Sequence, residues 1–354
     1  MNLYGQPTDV VYVGSFDGNL YAFEAATGNP VFTTLTVGPI YSSPAVAGGL
    51  VYIGSLDFNL YAFDAVSGAL VWSQPTTGQI LSSPVVANGV VYVGSTDGKI
   101  YAFDAFLGTP ILGWPLTLDG QVNSTPAVAN GVIYAATANA SLYALDPAGT
   151  ILPFWPVTIG AAFPGFVWSS PAVANGVVYV GGVGIDYNLY AFNAISGAPI
   201  AGFPVLTGLF IQSSPAVANG VVYVGSEDGK LYAVSALNGA AVPGYPVTLG
   251  TTVVSSPAVA NGVVYVGNYS DSKLYALEAQ TGQVLFAAAT GDFIAFSSPA
   301  VSDGMVFIGS QDARLHAYNL AAGGSALAAQ LPKAMKAKPN PASLVPDFTL
   351  RVKK

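Results

Sequence analysis

Seven aspartates recur at one place in a repeated unit: Asp17, Asp57, Asp97, Asp186, Asp228, Asp271 and Asp312. Brought side by side they would form a belt of carboxylates with the chemistry to hold Ca2+, which takes about six to eight oxygen ligands. A calcium loop draws several of those oxygens from one short segment, and no Asp-x-Asp-x-Asp-Gly run occurs in the chain. Gly follows directly at Asp17, Asp97 and Asp228, which reads as a turn. A second acidic series, Glu24, Asp64, Asp104, Asp146 and Glu278, interchanges with Asn193, Ser235 and Asn319, as residues do when they need only accept a backbone hydrogen bond. His316, the one histidine, stands where other units carry Tyr and reads as a packing residue, so no Ser-His-Asp triad can be assembled. With no cysteine there is no thiolate metal site, disulfide or cysteine nucleophile. Gly181-Gly182-Val183-Gly184 has no helix after it and makes a poor phosphate loop. Catalytic and metal-binding residues are therefore both expected to be absent.

One position behaves differently. Three residues before a recurring proline the chain reads Tyr41, Leu81, Asn123, Trp168, Gln212, Val254 and Phe296, while its neighbours hardly change. Divergence at a single place among copied units marks either a ligand surface of mixed aromatic and polar character or a loop released from constraint. Tyr41, Asn123, Trp168, Gln212 and Phe296 are the candidate ligand-binding residues.

The elements that position them follow from the period. The string Ser-Ser-Pro-Ala-Val-Ala-Asn-Gly-Val-Val-Tyr-Val-Gly occurs unchanged from Ser169, Ser213 and Ser255. Its proline recurs at Pro44, Pro84, Pro126, Pro171, Pro215, Pro257 and Pro299, in steps of 40 to 45 residues, the length of a four-stranded propeller blade. Asn-Gly is the strongest signal for a type I′ hairpin joining the first two strands. The third strand, Leu-Tyr-Ala-Phe-Asp-Ala in its commonest form, puts Leu and Ala on one face and aromatics on the other, both to be buried between blades. The fourth carries an aromatic wedge, Phe32, Trp72 or Phe286 in some units and Trp114, Trp155, Phe203 or Tyr245, each followed by Pro, in others. In such a ring the leading strand lines the central channel, so the diverging position should encircle one mouth of it.

Third strands begin eight times, at Leu20, Leu60, Ile100, Leu142, Leu189, Leu231, Leu274 and Leu315, but leading strands only seven, the first unit lacking its own. The fold expected is all-β, an eight-bladed propeller of four-stranded antiparallel blades, with seven blades plus an N-terminal fragment as the alternative. Residues 1–331 form the propeller and 332–354 a basic tail, in which residues 347–353 alternate as a ring-closing strand should.

Composition narrows the partners. Charged residues are only 8% of the 354, against roughly 25% in ordinary soluble proteins, and the net charge is −8. Up to residue 332 the chain carries four basic and seventeen acidic residues, a body that repels phosphate backbones and excludes nucleic acid. No apolar run approaches the ~20 residues of a spanning helix. Met1 lies about ten residues before the first strand, without a basic start or an apolar stretch, so the chain reads as lacking a signal peptide, as a mature or truncated form would.

The pattern Asp-Ala-x-Ser-Gly-x-x-x-Trp from Asp64 to Trp72, beside Ser-Ser-Pro-Ala-Val and Asp-Gly-x-Leu-Tyr-Ala-Phe-Asp, resembles the pyrroloquinoline-quinone-like propeller repeat over about residues 9–325. That family includes quinoprotein dehydrogenases, the propeller lipoprotein of outer-membrane protein assembly, and surface or sensor propellers without a quinone. The dehydrogenases add a paired-cysteine ring, a Ca2+ site of Glu, Asn and Asp, a catalytic Asp and a Trp stacked on the cofactor, mostly on insertions. This chain has neither the cysteines nor the insertions. The resemblance implies the scaffold and leaves the activity open; with those parts missing, the expectation is a non-enzymatic, cofactor-free propeller that binds a protein, peptide or glycan in the periplasm, at the cell surface or in secreted form. The alternatives are a self-associating subunit of a cell-surface assembly and a quinone-dependent dehydrogenase.

Overall fold

The computed structural model describes residues 9–161, 168–295, 297–302, 304–319, 335–336 and 349–352. Each blade is organised by its first turn. Asn88, Asn130, Asn175, Asn219 and Asn261 have φ of 50–51° and the glycines after them 75–77°. Two successive positive φ values are the type I′ geometry expected of Asn-Gly, whose twist matches that of the strands it joins. In the fifth blade this turn links Ala172–Ala174 to Val177–Gly181, which pairs with Asn188–Asn193, which pairs with Val205–Leu206. Eight such four-stranded antiparallel sheets follow one another, and the only helix among the described residues is one short 3-10 turn, Gly184–Asp186.

Outer strands come in two lengths. Pro30–Leu35, Leu70–Pro75 and Val284–Ala289 each run for six residues. Leu116–Thr117, Val157–Thr158, Val205–Leu206 and Val247–Thr248 have two, each entered through a cis aromatic-proline peptide bond. The proline thus sits just before the outer strand, where its missing N–H takes no bond from the ladder.

Hydrophobic burial lies between the blades. Leu20 and Ala22 pack with Val51, Ile53 and Phe63 of the second blade, while Tyr21 and Phe23 on the opposite face of the same strand pack with Phe307, Leu315 and Ala317 of the eighth. Period-two alternation therefore gives each sheet two buried faces, and eight such clusters join the eight sheets into a ring. Each fully buried Leu or Ile contributes roughly 1.5–3 kcal/mol. Polar bonds reach across the same seams. Tyr12, Tyr52, Tyr179 and Tyr223 donate their hydroxyls to the carbonyls of Ala65, Ala105, Ala236 and Ala279 in the following blade, at 2.6–3.0 Å. The wedge aromatics do likewise, Trp72 Nε1 to Ala105 O at 3.1 Å and Trp114 Nε1 to Pro147 O at 3.0 Å.

The glycine ending each second strand is required by close approach. A Cβ on Gly54 would lie 2.1 Å from Cγ2 of Ile80, in the connector to the next blade, and one on Gly14 would lie 2.3 Å from that of Ile40. Gly54→Ala is expected to cost about 1–3 kcal/mol through this overlap, read as a lower denaturation midpoint in urea. Gly89→Ala, at a turn tip with nothing within 4 Å, then serves as a comparison in which only the positive φ is strained.

The first blade has Val10–Gly14, Asn19–Glu24 and Pro30–Leu35, and its innermost strand comes from the other end of the chain. Thr349–Val352 runs antiparallel to Val10–Gly14, with Val11 opposite Val352 and Gly14 opposite Thr349. Met335–Lys336 pairs with Arg314–Asn319 as the outer strand of the eighth blade. The segment 332–354 thus supplies strands to the first and last blades, and the ring has eight blades, not the seven of the alternative.

Candidate functional site at the channel mouth

The serine doublet before each proline builds one rim of the channel. Its first hydroxyl points into the blade and accepts the amide of the glycine ending the second strand: Gly54 N to Ser42 Oγ at 2.8 Å, Gly181 N to Ser169 Oγ at 2.9 Å, Gly225 N to Ser213 Oγ at 3.0 Å. Its second residue joins neighbouring blades. The amide of Ser43 donates to Ser83 Oγ, Ser83 to Thr125 Oγ1, Thr125 to Ser170 Oγ, Ser170 to Ser214 Oγ, Ser214 to Ser256 Oγ and Ser256 to Ser298 Oγ, at 2.8–3.2 Å. This relay runs through seven blades, and its hydroxyls are the reason the doublet repeats.

The recurring aspartates lie on the same rim and are committed to the scaffold. Asp57 accepts Asn59 N at 2.9 Å to cap its own turn, Tyr61 Oη at 2.7 Å, and Gly38 N of the incoming connector at 3.1 Å. Asp97 and Asp228 take the hydroxyls of Tyr101 and Tyr232 at 2.6 Å. Burial alone would raise Asp228, but hydrogen bonds from Tyr232 and Lys230 hold its carboxyl below the ordinary value. Burial and then the bond to Asp228 push Tyr232 up to about 12. His316 fills the tyrosine's role, with Nε2 3.0 Å from Asp312 Oδ2 and both side chains nearly enclosed. No group of three or more His, Cys, Asp or Glu among the described residues is gathered to hold a metal ion. These carboxylates are structural, in line with the turn-forming role read for them.

The diverging position stands two residues before the relay, at the channel. Tyr41 enters the second blade and Trp168 the fifth, yet their ring centroids are 6.2 Å apart at 31°. Those blades are not neighbours, so the pair meets across the channel. Tyr41 also receives Phe16 edge-on at 4.7 Å. Asn123 is 4% exposed; its Nδ2 donates to Gln121 Oε1 at 3.3 Å and its Oδ1 is buried without a partner. Gln212 donates Nε2 to Glu227 Oε1, and its own Oε1 is likewise buried and unpaired. An unpaired buried acceptor costs about 1–3 kcal/mol. Burial pushes the Glu227 carboxyl up, with the Gln212 bond opposing. Leu81 and Val254 are half-buried at the same level. Phe296, the fifth candidate, lies outside the described residues.

Three members of this site, Phe16, Gln121 and Glu227, were not among the sequence candidates. Phe16 and Glu227 occupy the x of Gly-Ser-x-Asp-Gly, which reads Phe16, Leu56, Thr96 and Glu227 between otherwise similar turns. The divergence that singles out Tyr41 and Trp168 is a signal there too.

Among solved structures, the computationally designed protein Ika8 matches with a TM-score of 0.73 at 14% identity, over 88% of this chain and 93% of that one. BamB from Moraxella catarrhalis matches with a TM-score of 0.71 at 19% identity, over 86% of this chain and 89% of its own. A europium-containing methanol dehydrogenase matches with a TM-score of 0.68 at 14% identity, over 88% and 80%. At these identities the likeness concerns the fold alone. No curated protein matches the chain in sequence. The family profile described as outer membrane protein assembly factor BamB matches residues 4–84, 21–111, 57–158 and 157–329. With those matches extending over nearly the whole ring, and with the pyrroloquinoline-quinone-like repeat already evident in its blades, the chain belongs to the family described as outer membrane protein assembly factor BamB.

Proposed function

We infer that this propeller is a non-catalytic scaffold that docks a protein partner on its channel-mouth face, outside the cytoplasm. The observation that carries the reading is the contrast at that mouth. All seven doublets are tied by six bonds of the same relay, while the residue two places earlier changes from aromatic to amide to aliphatic. A scaffold that repeats its fastenings and varies only what it presents is built for recognition. The family description, an assembly factor, supports a protein as the partner and an extracytoplasmic setting.

A quinone-dependent reaction fits the residues poorly. The rim aspartates Asp57 and Asp228 are engaged by tyrosines and a backbone amide, and the chain has no cysteine pair to stack on a planar cofactor.

The test compares the protein with its Tyr41→Ala/Trp168→Ala variant, each immobilised and exposed to cell-envelope extract. Capture of one discrete protein is expected, falling about tenfold or more for the variant; equal capture would place docking elsewhere. The same preparations supplied with quinone, Ca2+, an alcohol and a redox dye are expected to show no turnover, and dye reduction would overturn the non-catalytic reading.

A further inference from the structure

We propose that Phe58 and Tyr187 are held in a strained backbone conformation to extend the Tyr41–Trp168 pair into a line of rings across the channel mouth, and that the docking partner lays an extended, proline-bearing segment along it. This rests on the docking reading and names what the partner presents.

The turn between second and third strands takes a residue at positive φ in all eight blades. Glycine supplies it at Gly18, Gly98 and Gly229, with φ of 81–84°, and small side chains at Ala140, Ser272 and Ala313, with φ of 57–62°. Blades two and five use Phe58 at 74° and Tyr187 at 54°. A bulky residue there is an outlier, because its Cβ crowds the backbone, and glycine makes the same turn without that cost. Packing repays little of it at Phe58, which is 46% exposed; Tyr187 is half-buried and meets Phe210 edge-on at 5.1 Å. Strain kept where a simpler residue would serve points to function.

The two outliers sit in the blades whose entry residues, Tyr41 and Trp168, bring their rings to 6.2 Å across the channel. Sheet order runs outward from the leading strand, so each turn lies further from the axis than the entry residue of its own blade. Phe58, Tyr41, Trp168 and Tyr187 therefore succeed one another from rim to rim. Each end of the line has a carboxylate beside it, Asp57 or Asp186, to which Asn59 or Asn188 donates an uncharged amide. At the same place in blades three, six and seven, Lys99, Lys230 and Lys273 lie 3.9, 3.2 and 3.3 Å from Asp97, Asp228 and Asp271 and neutralise them. The line is apolar along its length and acidic at its ends.

That arrangement selects an elongated ligand with basic ends. A polyproline II segment has no internal hydrogen bonds to keep, is stiff before it binds, and docks on aromatic rings. A helix, about 10–12 Å across, seeks a groove, whereas rings that meet across the channel fill it. A glycan chain gives up hydrogen bonds to water at every ring, and the nearby relay amides, such as Ser43 N on Ser83 Oγ and Ser170 N on Ser214 Oγ, are already spent. Arginine at either end of the segment complements Asp57 and Asp186.

The experiment titrates the full chain with acetyl-Arg-Pro-Leu-Pro-Pro-Leu-Pro-Arg-amide, with the same peptide carrying Gly for every Pro, and with maltohexaose, following tryptophan fluorescence. The proline peptide is expected to give a saturable change, with the glycine peptide at least about tenfold weaker and the sugar not competing. Phe58→Gly/Tyr187→Gly should weaken binding about tenfold while leaving the melting temperature unchanged or higher, since the turn keeps its φ and loses its strain. Ala140→Gly/Ala313→Gly gives the same relief in blades four and eight and should leave binding unaltered. A clear fall in melting temperature for the first variant would make the two rings packing residues and overturn the proposal. Undiminished peptide binding by that variant, with capture still lost in Tyr41→Ala/Trp168→Ala, overturns it too and leaves the docking face standing. Equal binding of the glycine peptide, displacement by maltohexaose, or no binding of the proline peptide also overturns it, and the docking face is then judged by the capture experiment alone.

Discussion

Removing residues 345–354 lowers the melting temperature by about 5–10 °C, as expected when an innermost strand worth a few kcal/mol is lost from a chain of this size. Among the described residues Thr349–Val352 is the only partner on the inner side of Val10–Gly14, and without it the first blade keeps three strands and an open edge facing the channel. All five residues of that edge are buried. The truncated protein should therefore also associate with itself in proportion to its concentration, because an unpaired apolar edge is a template for another strand. Differential scanning calorimetry and sizing chromatography read the two effects. Removing Lys353 and Lys354 alone should leave both unchanged, which separates the strand from the charge that follows it. An unaltered melting temperature after the longer deletion would mean that the eight interblade clusters and a three-stranded first blade suffice to hold the ring.

The second large effect is alkaline. Fifteen tyrosines are raised above their ordinary value, each first by burial and several then by a neighbouring carboxylate; Tyr12, Tyr52, Tyr61, Tyr232 and Tyr318 are pushed up to about 12. A folded-state value above the unfolded one means that the native protein holds its protons more tightly. That stabilisation is complete below pH 10, where unfolded tyrosine begins to ionise, and is lost as the pH rises through 12. Because many groups titrate together, the loss is steep. Circular dichroism across pH 9 to 12 should show one cooperative unfolding, with phenolate absorbance appearing in the same step. Phenolate absorbance rising near pH 10 over an intact fold would contradict it.

The blade was legible because its signals are local. Asn-Gly announced the type I′ turn, and the alternation of Leu20, Tyr21, Ala22 and Phe23 announced two buried faces. The excess of one third strand over the leading strands pointed to eight blades. What local reasoning missed is non-local. The serine doublet read simply as the start of a strand, whereas its two hydroxyls serve different partners, one of them in the adjoining blade. The aspartates read as turn formers, yet each also holds a side chain four residues on, a tyrosine in six units and His316 in the eighth blade. At the mouth, the list containing Tyr41, Asn123, Trp168 and Gln212 came from divergence alone, which cannot say that the second and fifth blades present rings to each other, or that two amide oxygens would be left without donors.

Completing the first blade with the last strand has a consequence for how the chain comes into being. Synthesis at about 5–20 residues per second leaves Val10–Gly14 waiting roughly 20–70 seconds before Thr349–Val352 exists to meet it. Until then the nascent polypeptide is an incomplete arc whose leading end is adhesive, and any export or maturation machinery that handles it must shield that end from beginning to finish.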